Sequence, residues 1–476
     1  MSPDATDTTA TREVVSSSIA KVVKIAIAFA GSILFARLLG PAGYGSFYLI
    51  LSITEILDRL IKGWGEAGKK RISEVTGEAD QITGAMILSW IVLVPIVFGL
   101  TYGFRTPLDG FLEVENGWLY VALSFAMISA FILFEGLTEG FGRVGTASWA
   151  STLQEWAAFP FQIGLILLGF GVAGLVYGYA AGIVIALPML LYYGYTTPAL
   201  PRLETIRSLW EYGRFSIANK LLGRTYARID ILLLGLLVTP AAAGHYEIAY
   251  RIGLTATIVS SSAALFLMAR VSTLRSKGEE YAQEVTGILS YASILSIPLF
   301  FGSLLVAEDV IVLVYGEEFA PAGVLLIGLA LYRIVVSQSQ PLIEYVNGID
   351  RPDVNMRISA ATLGLNVVLG VTLILALGPI GVVISTITSE LLRYLSLVYY
   401  AKTYFGLETF ITREFRRQFV AGVIMLAVVY PVTRVHLVGH TVDTVLAVTT
   451  GVVAYTGALL ALSEPTRRAV FERVPV

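Results

Sequence analysis

Apolar runs long enough to cross a bilayer follow one another along almost the whole chain, each bounded by charge, glycine or proline. They lie near 15–38, 43–65, 81–103, 117–140, 149–170, 172–195, 213–238, 242–268, 282–306, 320–345, 357–377, 380–402, 417–438 and 442–462. A hydrocarbon core takes about 20 apolar residues per helix, and inside it every backbone polar group must be satisfied within its own segment. The pattern predicts an all-α integral membrane protein with about fourteen transmembrane helices. Little of the 476-residue chain is left for loops, which excludes a large extramembrane catalytic or nucleotide-binding domain. With 14% charged residues against the usual ~25% of a soluble protein, the chain also lacks the polar surface a water-soluble fold needs.

Orientation follows from the cations, because cytoplasmic loops of multispanning proteins carry the excess of Lys and Arg. The N-terminal tail and alternate loops hold 20 of them, from Arg12, Lys69, Lys70 and Arg71 to Arg467, Arg468 and Arg473, whereas the opposite loops hold only Arg37, Arg105 and Arg434. This split places both termini in the cytoplasm of a cell (plasma) membrane protein. Residues 1–13 are polar, lack a basic n-region and precede no small-residue cleavage site, so they read as a retained tail and not a signal peptide. The 25 Arg against 8 Lys, the acids decorating the outer loops and the absence of cysteine suggest a salt-adapted, haloarchaeal source. Without cysteine there are no disulfides, thiolate metal sites or cysteine nucleophiles. A net charge of −2 gives no pull toward nucleic acid.

A repeat is visible at an offset of 198 residues: Ser18-Ile19-Ala20-Lys21 opens the first helix and Ser216-Ile217-Ala218-Asn219-Lys220 the seventh. Both helices start in the cytoplasm, so the two six-helix halves are expected to be parallel repeats with a cleft between them. The resulting division is 1–14 as cytoplasmic tail, 15–200 as N-terminal lobe (helices 1–6), 201–403 as C-terminal lobe (helices 7–12), and 404–476 as helices 13–14 with a cytoplasmic tail.

Ten cations remain inside the spans, and eight of them sit on helices 1, 2, 7 and 8: Lys21, Lys24, Arg59, Lys62, Lys220, Arg224, Arg228 and Arg251, with Arg333 and Arg393 elsewhere. Charge at membrane depth costs a few kcal/mol, so it faces protein or a water-filled cavity. Their spacings of three and four put them on single helical faces. Lysines near the cytoplasmic ends also have the reach to snorkel to the headgroups, and Arg228 has Asp230 or Glu247, and Arg59 has Glu55 or Asp58, as ion-pair partners in prospect. Concentration on equivalent helices of two repeats favours a cationic central cavity, suited to phosphate or diphosphate because guanidinium forks match phosphate oxygens. Among the in-span acids Glu55, Asp58, Asp230 and Glu247 are expected to pair with cations, while Glu135 and Glu139, four apart with no cation on their own helix, are candidates for ion coupling.

Other motifs carry no chemistry. GWGEAGKK (Gly63–Lys70) lacks the Ser or Thr and the preceding strand of a phosphate loop, and Gly140, Gly142 and Gly145 form GxGxxG in a turn without a dinucleotide fold. His245, His436 and His440 read as wet surface residues, and no metal or cofactor site is expected. No triad or carboxylate pair stands out, so the chain does not read as an enzyme.

The segments LFARLLGPAGYGSFYLILSI (Leu34–Ile53), GKKRISE after helix 2, ARIDILLLGLL with YEIAYRI, and VYGEEFAPAG (Val314–Gly323) together resemble the polysaccharide and oligosaccharide flippases, of the superfamily that also holds lipid II flippases and multidrug and toxin extrusion antiporters. The resemblance implies two lobes alternating between inward-open and outward-open states to move a polyprenyl-phosphate- or diphosphate-linked oligosaccharide, on a dolichol- or undecaprenyl-type carrier. Cavity arginines would engage the phosphate, and glycan-assembly enzymes are further implied partners. It also implies that helices 13 and 14 form a groove for the prenyl tail, with Val420, Ile424 and Val428 on one and Val445, Val448 and Val452 on the other. Nothing demands more than a monomer. The first helix bears Lys21 and Lys24 and no acid, unlike the drug antiporters; an ion-coupled exporter of small organic molecules is the alternative.

Overall fold

A computed structural model describes residues 3–74, 78–194, 196–405, 410–434 and 439–471, with the side chains of 3–26, 28, 405 and 469–471 outside the description. The helices are α1 (Pro3–Leu57), α2 (Arg59–Glu74), α3 (Ala79–Gly103), α4 (Arg105–Leu112), α5 (Gly117–Gly140), α6 (Val144–Leu165), α7 (Gly171–Gly194), α8 (Leu203–Leu237), α9 (Pro240–Thr255), α10 (Ile258–Lys277), α11 (Ala282–Tyr291), α12 (Ser296–Tyr315), α13 (Ala322–Gly348), α14 (Pro352–Leu377), α15 (Pro379–Phe405), α16 (Arg413–Thr433), α17 (His440–Leu462) and α18 (Glu464–Phe471). The described residues contain no strand. Ten helices among them are long and apolar enough to cross a membrane, or up to eleven if α9 and α10, bent by 59°, count as one span. Large apolar side chains such as Leu167, Leu168, Val184, Leu265 and Leu375 are exposed. A surface of this kind is stable against lipid and not against water, and the protein is a multi-pass membrane protein.

The helical breaks differ in several places from the sequence expectation. α1 begins at Pro3 and is helical on both sides of a kink at Gly40, whose φ of 66° and ψ of 179° are open only to glycine at low cost. The second span runs on past residue 65 to Glu74, so GWGEAGKK lies inside α2. The expected span 282–306 breaks into α11 and α12, and α12 continues to Tyr315, which puts Glu308 and Asp309 on a helix and not in a loop. Of the three glycines expected in the turn between α5 and α6, only Gly142, at φ 79°, lies in it, because Gly140 ends α5 and Gly145 is already inside α6.

Internal contacts divide the chain into two compact units, residues 1–244 and 245–476. α8 therefore packs within the first unit. That unit is built on close glycine contacts, as membrane helices often are, because small residues let backbones approach. α6 and α7 form a hairpin turned at Gly169 and Gly171, both at positive φ. Gly174, Gly178 and Gly182 then lie against Leu165, Gln162 and Ala158 so tightly that a Cβ on Gly178 would stand 2.5 Å from the Gln162 backbone nitrogen. α2 meets α8 in the same way at Gly63, where a Cβ would stand 2.6 Å from the Ile217 Cα. The core beside this contact consists of Ile61, Ile82, Met86, Phe125, Leu133, Leu137 and Leu209.

The second unit has two cores. Leu267, Val271, Leu342, Tyr345 and Leu397 join α10, α13 and α15, and Ile297, Phe301, Ala421, Met425, Ala447 and Tyr455 join α12, α16 and α17. Seating of α16 on α12 depends on Gly422, which faces Phe301.

Candidate functional site

Glu55, Asp58, Arg59, Lys62, Glu66 and Lys69 recur every three or four residues across the α1–α2 junction. Backbone hydrogen bonds from Asp58 N to Thr54 O and from Lys62 N to Asp58 O, both 2.8 Å, carry the helical register through it, so these side chains share one face. On α8, Lys220, Arg224 and Arg228 make a second stripe. The Gly63–Ile217 contact holds the two helices close enough for the stripes to meet.

Glu55 is the focus of the meeting. Its carboxylate accepts from Arg228 Nε at 2.7 Å and is also paired with Arg224. Asp58, 1% exposed, pairs with Arg59 Nε at 2.9 Å, and the same Nε donates to the Glu55 carbonyl at 2.9 Å. Further along, Lys220 Nζ reaches Glu66 at 2.9 Å. Of the partners the sequence left open, Arg59 takes Asp58, and Arg228 takes Glu55, a partner that its own helix does not supply. Asp230 is itself buried and engaged in interactions of its own. Arg59, Lys62, Lys220, Arg224 and Arg228 alternate here with Glu55, Asp58 and Glu66, and a carboxylate gripped by two arginines marks a geometry equally suited to a phosphate.

Beside this cluster, between α2 and α5, a cavity of about 300 Å³ is lined by Lys62, Glu66, Lys69, Ile132, Glu135 and Glu139 among others. Glu135 and Glu139 thus face cations from α2, although their own helix has none. Lys69 Nζ binds Glu139 at 2.8 Å, and Glu135 is likewise engaged. Glu66 and its bond to Lys220 were missed from sequence because the span was ended one residue too early, although the i, i+3, i+4 spacing continues through it. The side chains of Lys21 and Lys24 lie outside the described residues.

In the second unit, Glu247 is 2% exposed and accepts from Arg251 Nε at 2.7 Å, one turn along α9. Arg333, 3% exposed, has no carboxylate partner among the described residues. Its guanidinium lies over Tyr250 at 4.4 Å and Tyr332 at 5.1 Å and donates to the Tyr250 carbonyl at 3.4 Å. Ring faces here supply the negative potential that carboxylates supply elsewhere. Arg393 pairs at 2.7 Å with the fully buried Glu390, which also accepts from Ser339.

An apolar cavity of about 440 Å³ opens between α9, α12, α16 and α17, lined by Ile252, Leu299, Met425, Val429, Val448 and Val452 among others. Val448 and Val452 were expected on this groove. Val420, Ile424, Val428 and Val445 are exposed, and Ile424 and Val428 line a second apolar cleft between α16 and α17. His245 bonds the Glu318 carbonyl at 3.0 Å, His440 lies 3.7 Å from Asp309, and His436 lies outside the described residues.

The described residues form a helical bundle with charged side chains buried on its helix faces. It aligns with a lipid II flippase in an inward-closed conformation at a TM-score of 0.80, with 13% identity, covering 95% of this chain and 100% of that one. An inward-facing multidrug transporter of the multidrug and toxin extrusion family aligns at 0.61, with 15% identity, over 82% of this chain and 99% of that one. Residues 104–323 match the family model described as polysaccharide biosynthesis protein. A probable low-salt glycan biosynthesis flippase of Haloferax volcanii is 26% identical over 464 residues, 96% of each chain. A probable flippase of the same organism, AglR, is 26% identical over 446 residues, 91% of each. The chain is thus similar in sequence to polysaccharide biosynthesis proteins and to two haloarchaeal flippases, and shares its fold with a lipid II flippase and a multidrug and toxin extrusion transporter. Its salt-adapted composition matches the source of both relatives.

Proposed function

We propose that the protein translocates a polyprenyl-phosphate- or diphosphate-linked oligosaccharide from the inner to the outer leaflet of the cell membrane by alternating access, supplying surface polysaccharide or glycoprotein synthesis. The observation that carries this reading is the meeting of Arg224 and Arg228 on the single carboxylate of Glu55. A phosphate arriving there replaces or shares the carboxylate without new side chains being needed. Arg59, Lys62 and Lys220 stand in the same cluster, and the spacing of the sequence proposes Lys21, Lys24 and Arg251 for the same role. The 440 Å³ apolar cavity beside α16 and α17 is of the right chemistry for the prenyl chain. The names of both Haloferax relatives support the same activity.

In this reading the chain crosses the membrane fourteen times as a monomer, with both termini cytoplasmic and lobes at 15–200 and 201–403. An anionic cargo moving outward is favoured by an inside-negative potential at about 2.3 kcal/mol per charge per 100 mV. Lys62, Glu66, Lys69, Glu135 and Glu139 around their polar cavity offer protons or cations a place to couple. The test is mass spectrometry of lipids and surface glycoproteins from a strain lacking the gene. Accumulation of a complete lipid-linked glycan with under-glycosylated surface protein is expected. Unchanged lipids and normal glycans would overturn the proposal in favour of a small-molecule exporter.

A further inference from the structure

At the start of α14 and the end of α15, within the second unit, a cleft of about 610 Å³ is lined by Arg351, Arg357, Tyr399, Tyr400 and Tyr404, with Val354, Ile358 and Leu395 below them. On α14 Val354 lies between the two arginines and Ile358 follows the second, and on α15 Leu395 lies a turn before Tyr399. The cleft is therefore amphiphilic along its length. Arg351 gives its Nε to Asp353 at 3.1 Å, which uses one of its five N–H donors. Its guanidinium lies 5.9 Å from the Tyr400 ring, and Tyr400 and Tyr404 pack at 4.8 Å. Arg357 makes no salt bridge among the described residues, so two guanidiniums face one carboxylate. Tyr399 and Tyr404 are 69% and 65% exposed.

We propose that this cleft seats a membrane glycerophospholipid with an anionic headgroup, as a resident ligand separate from the cargo. Arg351 and Arg357 take the phosphate, to which the positive N-terminal end of α14 adds its dipole. The tyrosines lie at headgroup level, where such rings are enriched at span ends, and an alkyl chain runs down over Ile358 and Leu395. A soluble phosphate has no use for the apolar floor. A zwitterionic headgroup brings an ammonium into a site that already carries surplus positive charge. Basic pockets between spans at a membrane surface recognise anionic headgroups on the same grounds.

The experiment is native mass spectrometry of the full-length protein in detergent, with phosphatidylglycerol and phosphatidylcholine at equal concentration. The wild type is expected to retain one phosphatidylglycerol about tenfold over phosphatidylcholine. Arg351→Gln with Arg357→Gln removes that preference, and Arg105→Gln, at the Arg–Tyr pair with Tyr102, keeps it. Equal retention of the two lipids by the wild type, or an undiminished preference in the double variant, overturns the proposal. Should the double variant fail to fold, Arg357→Gln alone decides, because its residue holds no salt bridge: reduced preference supports the site and unchanged preference refutes it. Displacement of the bound phosphatidylglycerol by geranylgeranyl diphosphate would give the cleft to the cargo and overturn its assignment to a resident lipid. The readout involves no glycan, so it stands or falls apart from the translocation activity.

Discussion

Gly63→Ala tests how the two charged faces are brought together without touching a charge. The added Cβ would stand 2.6 Å from the Ile217 Cα, where ordinary contact starts at 3.4 Å, so α2 and α8 must separate by the difference or deform. Moving them by that amount stretches Lys220–Glu66, which joins the two helices, from 2.9 Å to beyond the hydrogen-bond limit of about 3.5 Å. Overpacking of this size costs about 1–3 kcal/mol, which is roughly a 5–150-fold change in the unfolding equilibrium. Gly65→Ala is the matched control on the same helix, since its Cβ meets only the flexible Met86 Cε, at 3.5 Å. Thermal and denaturant unfolding of both variants in detergent should show Gly63→Ala clearly weakened and Gly65→Ala close to the wild type. If the two prove equally stable, the helices are not held by the Gly63 contact and the account of the site's assembly is wrong.

Three further outcomes follow from the same geometry. Arg224→Gln combined with Arg251→Gln should abolish glycan export while the folded protein is still recovered from membranes, and full export by this variant would remove the phosphate role. Glu390→Gln leaves Arg393 beside a fully buried site without its counter-charge, and removing one partner of a buried pair costs about 3–5 kcal/mol. Because Arg393 keeps some solvent contact, the low end is expected in thermal melts, and a loss under about 1 kcal/mol would show the pair to be dispensable. Val448→Trp fills the apolar cavity beside α17 and should slow transport in vesicles with little effect on melting, whereas unimpaired transport would show that the prenyl chain does not use that cavity.

Hydropathy made the helices legible because a membrane span must be apolar over about 20 residues whatever it packs against. Breaks were less legible. Pro95, Pro160, Pro188, Pro341 and Pro431 all sit inside helices, while the 59° bend between α9 and α10 falls at Ala256 and Thr257, where no proline or glycine marks it. Neighbouring backbones decide such bends, and a local pattern does not record them. The charged faces could be read from spacing, since it depends only on helical geometry. Partner choice could not: Glu55 lies 173 residues from Arg228, and only the docking of α8 brings the two together. Arg333 shows the same limit, because its ring partner Tyr250 comes from a different helix.

Separation along the chain also sets a timetable for assembly. Asp58 and Arg59 are adjacent and neutralise one another as soon as they leave the ribosome. Glu55 and Glu66 must wait for Arg224, Arg228 and Lys220, because Gly63 and Ile217 are 154 residues apart. At translation rates of about 5–20 residues per second this amounts to roughly 8–30 s. During that interval Glu55 on α1 and Glu66 on α2 lack these partners, whereas the α6–α7 hairpin closes on its own glycines within a few seconds. A nascent chain stopped before α8 should therefore hold α2 on α3 and α5 through the Ile61, Ile82 and Phe125 core and the Lys69–Glu139 pair, and the arrival of α8 should complete its charged face.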